Sequence, residues 1–267
     1  MLLSFDPTSV IRMVSLAVIG MIALMVALWF VQLTFKNAGV ANLGWVCGIV
    51  MIAGIYFINA DGYLPRQLLL LMMVSVWSLR LGSLFLSRLL QNKGEDPRYQ
   101  KIRQRWAKAL GLKFFLFFQW QGFLAVVLST PFLLICLNRQ APILLIEWFA
   151  FIIFLVAVIV ETLADDQLRV FNSNPANRSK TCRSGLWNYS RHPNYFFEWV
   201  TWVSFCVFAL GSPLGWVSIV CPALMLYFLL QVSGVPLSEE RAIQSRGEDY
   251  REYQRTTSVF VPWFKKK

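Results

Sequence analysis

Long apolar runs separated by short charged segments occur from one end of this chain to the other. Each run approaches the roughly 20 mostly apolar residues that a transmembrane helix needs. The pattern predicts an all-α, polytopic membrane protein, a bundle of about seven transmembrane helices in a single membrane domain, residues 1–267. The predicted spans are Val10–Phe35, Leu43–Asn59, Gln67–Leu90, Leu112–Leu137, Ile143–Leu163, Tyr195–Leu210 and Gly215–Val232.

The charged segments between the spans predict the orientation of the bundle. Lysine and arginine concentrate in Gln91–Lys113, in Ala164–Asn194 and in the tail from Gly234 onward. Cytoplasmic loops are enriched in these residues, so we expect cytoplasmic loops, an outer N-terminus and a cytoplasmic C-terminus, with Leu237–Tyr253 as a C-terminal cytoplasmic helix. A bacterial inner membrane is the expected location, and the endoplasmic reticulum fits the same topology. Residues 1–110 would hold three spans and a basic loop, and residues 111–267 the rest.

Composition agrees with a membrane protein and excludes several functions. Hydrophobic residues make up 57% of the 267 residues and charged residues only 15%, too few for the surface of a soluble domain. The net charge is +11, and the basic residues lie between apolar runs, which favours membrane lipids as partners and argues against nucleic acid. His192 is the only histidine and the five cysteines are scattered singly, so neither a metal site nor a disulfide framework is predicted.

Several polar residues lie inside or at the ends of predicted spans, where burial is costly and usually implies a partner or a ligand. Glu161 and Asp165 are four residues apart and share a helical face, which Arg169 extends if the helix continues. Asn194 and Glu198 share another face at the start of the sixth span. Because carboxylates are too short to reach far toward the membrane surface, we expect these acids to be paired or to contact a ligand.

The densest group of polar and aromatic residues runs from Ser184 to Glu198 and is here called the signature segment. Gly185 permits a turn, and His192-Pro193 starts a helix, because proline is favoured in the first helical turn. A helix N-terminus and arginine both suit anions, so a phosphate-bearing cofactor that enters from the cytoplasm fits this segment. A polar helix cap beside interfacial aromatic residues fits it equally well.

The signature segment resembles that of bacterial steroid 5-alpha-reductase-like membrane proteins. This domain of unknown function is related to steroid and sterol reductases and, more distantly, to isoprenylcysteine carboxyl methyltransferases. The resemblance covers most of the chain. The matching residues are Leu79-Arg80-Leu81-Gly82, Gly94-Glu95-Asp96, Arg98-Tyr99, Gln121-Gly122, Glu161, Ala164-Asp165, Gln167, Asn174 to Arg178, Gly185-Leu186-Trp187, Tyr189 to Tyr195, Glu198, Val232-Ser233-Gly234, Glu240, Tyr250, Tyr253, Thr257-Ser258 and Pro262.

The resemblance implies a seven-helix membrane oxidoreductase that binds NADPH and reduces an activated carbon–carbon double bond of a steroid-like or other lipid substrate. By position, Asp165, Asn194 and Glu198 match cofactor-pocket residues of the steroid reductases. Arg178 and Arg191 are expected phosphate contacts on account of their charge and location. The expected cofactor-binding residues are Asn92, Asp165, Arg169, Asn177, Arg178, Arg191, His192, Asn194, Tyr195, Glu198 and Glu240.

The reaction also requires an acid that protonates, or a donor that polarises, the developing enolate. The candidate catalytic residues are Tyr189, His192, Tyr195 and Glu198, and the sequence does not choose among them. It also leaves open the substrate, the preference for NADPH over NADH, and the oligomeric state.

Two sites depart from the steroid reductases. Trp77 stands where they place a tyrosine that polarises the substrate carbonyl, and Val235 and Glu239 stand near the positions of an arginine and a histidine. Indole donates a hydrogen bond but is not a useful proton source. These departures argue against steroid 5-alpha reduction itself and leave open a different enone lipid or a different chemistry.

Two other functions stay open. The pattern Arg191-His192-Pro193-x-Tyr195, followed by Glu239-Glu240 and Tyr250-x-x-Tyr253, is similar to that of membrane methyltransferases that use S-adenosylmethionine. A non-catalytic lipid-binding membrane protein that retains the fold is the third hypothesis, because fold alone does not fix function.

Overall fold

The computed structural model describes residues 6–91, 94, 95, 97–106 and 108–265. Within these residues the regular structure is helical, apart from one isolated β-bridge between Ser190 and Ser258, which confirms the all-α prediction. The α-helices are α1 (Pro7–Phe35), α2 (Val40–Asn59), α3 (Leu64–Gln91), α4 (Pro97–Arg105), α5 (Leu110–Leu128), α6 (Thr130–Leu137), α7 (Leu145–Ser173), α8 (Pro193–Ala209), α9 (Val220–Tyr227), α10 (Val235–Arg246) and α11 (Glu248–Thr256).

Six stretches of the described chain are long and apolar enough to cross a membrane, so this is an integral membrane protein. They are Pro7–Phe35, Val40–Asn59, Leu64–Leu90, Leu110–Leu137, Leu145–Ser173 and Gly215–Arg246. The predicted sixth span corresponds to α8, a helix of 17 residues. At 1.5 Å per residue α8 is about 25 Å long, less than the roughly 30 Å of the hydrocarbon core. The count of seven spans therefore stays a prediction that depends on α8.

One predicted element is wrong. The tail helix expected over Leu237–Tyr253 is two helices, α10 and α11. Gly247 separates them with φ 58° and ψ −125°, a conformation that residues with a side chain rarely adopt. The chain therefore turns at Gly247, so that α11 runs in a new direction.

The chain forms two compact units. Unit 1 comprises Met1–Glu147 and Ala209–Val217, and unit 2 comprises Trp148–Phe208 and Ser218–Lys267. In unit 1, α1 packs along α2 and α5, and α2 also packs against α3 and α6. Gly62, in the turn between α2 and α3, abuts the carbonyl of Cys136, so a Cβ at this position would collide with backbone.

Unit 1 encloses an ion pair between Arg66 and Glu147, whose side chains are 0% exposed. Arg66 Nη2 donates to Glu147 Oε2 at 3.0 Å, and Nε donates to the other carboxylate oxygen. The remaining N–H groups of Arg66 donate to the carbonyls of Asn138, Gln140 and Pro142. Burying a charge pair is tolerated when its hydrogen-bonding groups are satisfied. The pair ties the connection between α6 and α7 to the start of α3.

Trp77 of α3 is a core residue of unit 1. Its side chain is fully buried, and its ring meets that of Trp45 edge-on, with centroids 5.7 Å apart. This geometry is typical of structural aromatic pairs.

The core of unit 2 includes aromatic side chains of α7 and α8. Trp202 and Phe205 of α8 are fully buried, and the ring of Phe205 lies 5.8 Å from that of Phe154 of α7. The signature segment precedes α8, and α8 begins at Pro193 as the sequence predicts. Unit 2 therefore holds the predicted site residues from Asp165 onward.

Candidate functional site

Hydrogen bonds hold the signature segment against α7. Gly185 has φ 58° and starts a tight 3-10 turn, and this conformation favours glycine. Leu186 N donates to Gln167 Oε1 at 2.9 Å. Trp187 Nε1 donates to the carbonyl of Ala164 at 2.9 Å. The segment is thereby fixed at the polar end of α7.

Asp165 and Asn194 are in contact, although 29 residues separate them in the chain. Asn194 Nδ2 donates to Asp165 Oδ1 at 2.9 Å, and both residues are partly buried. Asp165 lies on α7, and Asn194 lies in the first turn of α8. A carboxylate beside an amide can both accept and donate hydrogen bonds. The pair can therefore hold a polar ligand that carries an amide or hydroxyl groups.

Glu239 of α10 is the centre of a second group, here called the Glu239 cluster. Its Oε1 lies 2.7 Å from Arg191 Nε and 3.3 Å from His192 Nε2. Gln254 Nε2 donates to Oε2 at 2.8 Å, and the Tyr250 hydroxyl donates to Oε1 at 3.4 Å. The side chains of Arg191 and Glu239 are only 12% and 15% exposed. The cluster thus joins the signature segment to α10 and α11.

Arg191, an expected phosphate contact, has internal partners in this structure. Besides Glu239, its guanidinium reaches two carbonyls, since Nη1 donates to Gln254 O at 2.7 Å and to Thr257 O at 3.2 Å. Its backbone N–H donates to Ser258 O at 2.8 Å. Arg191 therefore fastens the C-terminal tail to the start of α8.

His192 and Tyr195 form a parallel ring pair beside the Glu239 cluster. Their ring planes differ by 4° and the centroids lie 5.3 Å apart. The Tyr195 hydroxyl is 2.8 Å from Ser238 Oγ. Burial lowers the pKa of His192 below its ordinary value of 6.5, although the bond to Glu239 acts in the opposite direction. His192 is therefore neutral at pH 7.

Tyr253 of α11 is hydrogen-bonded to the backbone of the signature segment. Its hydroxyl donates to Ser190 O at 3.0 Å and also to Trp187 O. Ser190 Oγ donates in turn to Phe260 O at 2.7 Å. Burial raises the pKa of Tyr253, as it does that of Tyr250, so both hydroxyls stay protonated and act as donors.

Three predicted cofactor residues lie on or beyond the end of α7. Arg169 is exposed and pairs with Asp166 at 2.8 Å rather than extending the face of Asp165. Asn177 Nδ2 donates to Phe171 O at 2.9 Å and so caps the end of α7. Arg178 is exposed in the following loop. Arg169 and Asn177 thus form their hydrogen bonds within the end of α7.

The other predicted residues are dispersed. Tyr189 is 42% exposed and its ring contacts Phe264. Glu198 is buried and accepts a hydrogen bond from Trp202 Nε1 at 2.9 Å. Glu240 is exposed on α10, and Asn92 lies outside the described residues.

Sequence reasoning missed the central position of Glu239. The spacing contained a signal, because Val235 and Glu239 are four residues apart and share one helical face. Val235 is buried, whereas Glu240, on the neighbouring face, is exposed. The apolar Val235 at the start of α10 thus indicates that Glu239, on the same face, is the acid that points to the interior.

Comparisons with known proteins identify a family and a relative. The family model described as "Protein of unknown function (DUF1295)" matches residues 28–257. An uncharacterized protein of Schizosaccharomyces pombe is 24% identical over 217 residues, which is 71% of this chain and 63% of the relative. The match therefore spans less than two thirds of that relative's length. No solved structure matches the chain.

Proposed function

The chain belongs to the DUF1295 family, and on that premise we propose that it is an NADPH-dependent membrane reductase. Its reaction is the reduction of an activated carbon–carbon double bond in a steroid-like or other lipid. The signature segment's similarity to steroid 5-alpha-reductases supports this assignment. The lipid substrate agrees with the membrane location.

The contact between Asp165 and Asn194 carries the proposal. These two positions match cofactor-pocket residues of the steroid reductases, and their side chains are 2.9 Å apart. They come from different helices, so local helix capping does not explain the contact. A preorganised amide–carboxylate pair suits a ligand with its own carboxamide and hydroxyl groups.

The residues present fit a nicotinamide cofactor. Asp165 and Asn194 would hold its carboxamide or a ribose hydroxyl, and the exposed cation Arg178 would meet a phosphate. Arg191 would keep its internal role, because leaving Glu239 buried without its partner is costly. When bound, the cofactor supplies the hydride.

Tyr195 is the proton donor in this proposal. The Tyr195 hydroxyl would give its proton to the carbon of the double bond that does not take the hydride. Ser238 Oγ, 2.8 Å from that hydroxyl, passes a proton back to it from solvent. His192 stacks on the Tyr195 ring and fixes its orientation. Tyr189 is less suitable, since it is exposed and its ring contacts Phe264.

The proposed topology has seven spans with α8 among them, the N-terminus outside and the C-terminus cytoplasmic, in a bacterial inner membrane. The basic segments between the spans support it. Reporter fusions at each terminus test it: a C-terminal green fluorescent protein should fluoresce and a C-terminal alkaline phosphatase should be inactive. The reverse pattern would contradict the orientation.

The test of cofactor use is binding to the purified full chain in mild detergent. NADPH should raise the melting temperature, because a ligand that binds only the folded state stabilises it. Asp165→Asn should weaken NADPH binding roughly ten-fold or more, which corresponds to the loss of a charge-assisted hydrogen bond. The matched control is Asp166→Asn, one residue away and exposed. Absence of NADPH binding to the folded wild type would reject the reductase.

The test of the donor is turnover with a panel of enone lipids. Tyr195→Phe should bind NADPH normally but lose roughly 10²- to 10⁴-fold in kcat, the usual share of general acid catalysis. Tyr189→Phe is the matched control and should retain activity. Equal losses in the two variants would remove Tyr195 from this role.

Methyl transfer from S-adenosylmethionine is the second candidate. The Glu239 cluster favours it, because Arg191, His192, Glu239 and Tyr250 of the shared methyltransferase pattern meet there. The same thermal measurement separates the two functions: stabilisation by S-adenosylmethionine and not by NADPH would replace the reductase with a methyltransferase.

A further inference from the structure

The two ends of unit 1 differ in how their charges are balanced. At one end, Arg12 of α1 lies 3.4 Å from Asn59 of α2. Two further cations at this end form ion pairs: Arg66 with Glu147, and Arg139 with Asp61 at 3.1 Å. This end, here called the paired end, therefore carries little uncompensated charge.

The other end, where α1 and α3 finish and α5 begins, carries α4 and is here called the α4 end. Glu95 is an acid among the described residues of this end, and its side chain is 6% exposed. Its Oε1 lies 2.8 Å from Arg103 Nη2 and accepts a hydrogen bond from Ala38 N at 2.8 Å. Glu95 is thus used inside the unit and does not neutralise the surface. Among the described residues of this end, the exposed cations include Lys36, Arg88, Arg105 and Lys108.

Side-chain contacts hold α4 and the turn after it against the rest of unit 1. The Tyr99 hydroxyl donates to Asn42 Oδ1 at 2.9 Å. After the helix, the ring of Trp106 packs edge-on against Phe114, with centroids 5.4 Å apart. The apolar side of this segment therefore contacts the bundle, and Arg105 and Lys108 remain on the exposed side.

Exposed apolar side chains stand at the same end. Phe35 ends α1, Leu90 lies at the end of α3 and Leu112 lies in the first turn of α5, with exposed fractions of 74%, 75% and 61%. Apolar side chains flanked by lysine and arginine are typical of the boundary between lipid chains and headgroups. The phosphates of a lipid leaflet would lie level with the cations.

We propose that the α4 end of unit 1 binds anionic phospholipid, with Lys36, Arg88, Arg105 and Lys108 as headgroup contacts. Charge complementarity and the exposed apolar side chains beside the cations together indicate a lipid. A soluble anion would contact the cations and leave the apolar side chains uncovered. Near an anionic membrane surface each cation strengthens binding by about five-fold. The site is independent of the reductase proposal and needs neither cofactor nor substrate.

The experiment titrates the purified full chain in neutral detergent with dioleoyl phosphatidylglycerol and follows the melting temperature. Dioleoyl phosphatidylcholine, with the same chains, and glycerol phosphate, with a similar anionic head, are the comparison probes. Phosphatidylglycerol should stabilise the wild type at the lowest concentration. Arg105→Gln with Lys108→Gln should weaken its apparent affinity roughly ten-fold or more.

The matched control removes two cations from the paired end, Arg12→Gln with Arg139→Gln, and should leave phosphatidylglycerol binding within about two-fold. If the α4 variant does not fold, Lys36→Gln with Arg88→Gln tests the same end from α1 and α3. Equal effects of the two lipids, or equal losses at the two ends, would overturn the proposal. Stabilisation by glycerol phosphate at the same concentration would also overturn it, since it would show a site for a soluble anion.

Discussion

Replacing Glu239 with glutamine removes the charge at the centre of the Glu239 cluster and keeps the shape of the side chain. Arg191 loses its counter-ion, and the acceptor for Gln254 and Tyr250 is weakened. Removing one partner of a fully buried ion pair costs about 3–5 kcal/mol. Because Arg191 and Glu239 are 12% and 15% exposed, and the amide retains part of the bonding, we expect a loss of about 2–3 kcal/mol.

The measurement is thermal unfolding of the full chain in mild detergent. A domain of this size loses about 2–4 °C for each kcal/mol, so Glu239→Gln should lower the melting temperature by about 5–10 °C. Glu240→Gln is the matched control, since that neighbour is exposed and should change stability by less than about 0.5 kcal/mol.

A double-mutant cycle isolates the pair itself. When Arg191→Gln is combined with Glu239→Gln, the total loss should be smaller than the sum of the single losses by about 1–3 kcal/mol. Additive losses, or equal melting temperatures for the Glu239 and Glu240 variants, would show that the cluster does not hold α10 to the signature segment.

Three further predictions concern single residues, and thermal unfolding in detergent measures each. Glu147→Gln should cost about 3–5 kcal/mol, because Arg66 is left buried and unpaired, whereas Asp61→Asn in an exposed pair should cost under about 1 kcal/mol; similar losses would contradict this. Folding lowers the pKa of His192 below 6.5, so the unfolded chain binds the proton more readily and stability should fall as pH drops below 6.5; His192→Gln should lessen that slope, and an unchanged slope would contradict the assignment. Gly185→Ala should cost about 1–2 kcal/mol because of its positive φ, and a neutral effect would show that the turn adapts.

Part of the candidate site could be predicted from the sequence. The sequence predicts both Asp165 and Asn194 as pocket residues, and the structure brings them together. The charge of Arg191 predicts a polar role, but charge alone does not identify the partner of an arginine. Its partner, Glu239, lies on α10, 47 residues beyond the neighbouring His192 in the chain. Pairing over such a sequence distance depends on how the helices pack.

The apolar runs of the sequence are enough to predict an all-α integral membrane protein and where most of its helices lie. Apolar length is a local property, and so are the turn at Gly185 and the helix start at Pro193. Which polar residues meet depends instead on how the helices pack. Glu239 and Glu240 are identical in type and adjacent in sequence, yet one is the centre of a buried cluster and the other is exposed. The rotation of α10 about its axis places Val235 in the interior and Glu239 against the signature segment. It thereby sets which carboxylate is desolvated and needs a partner.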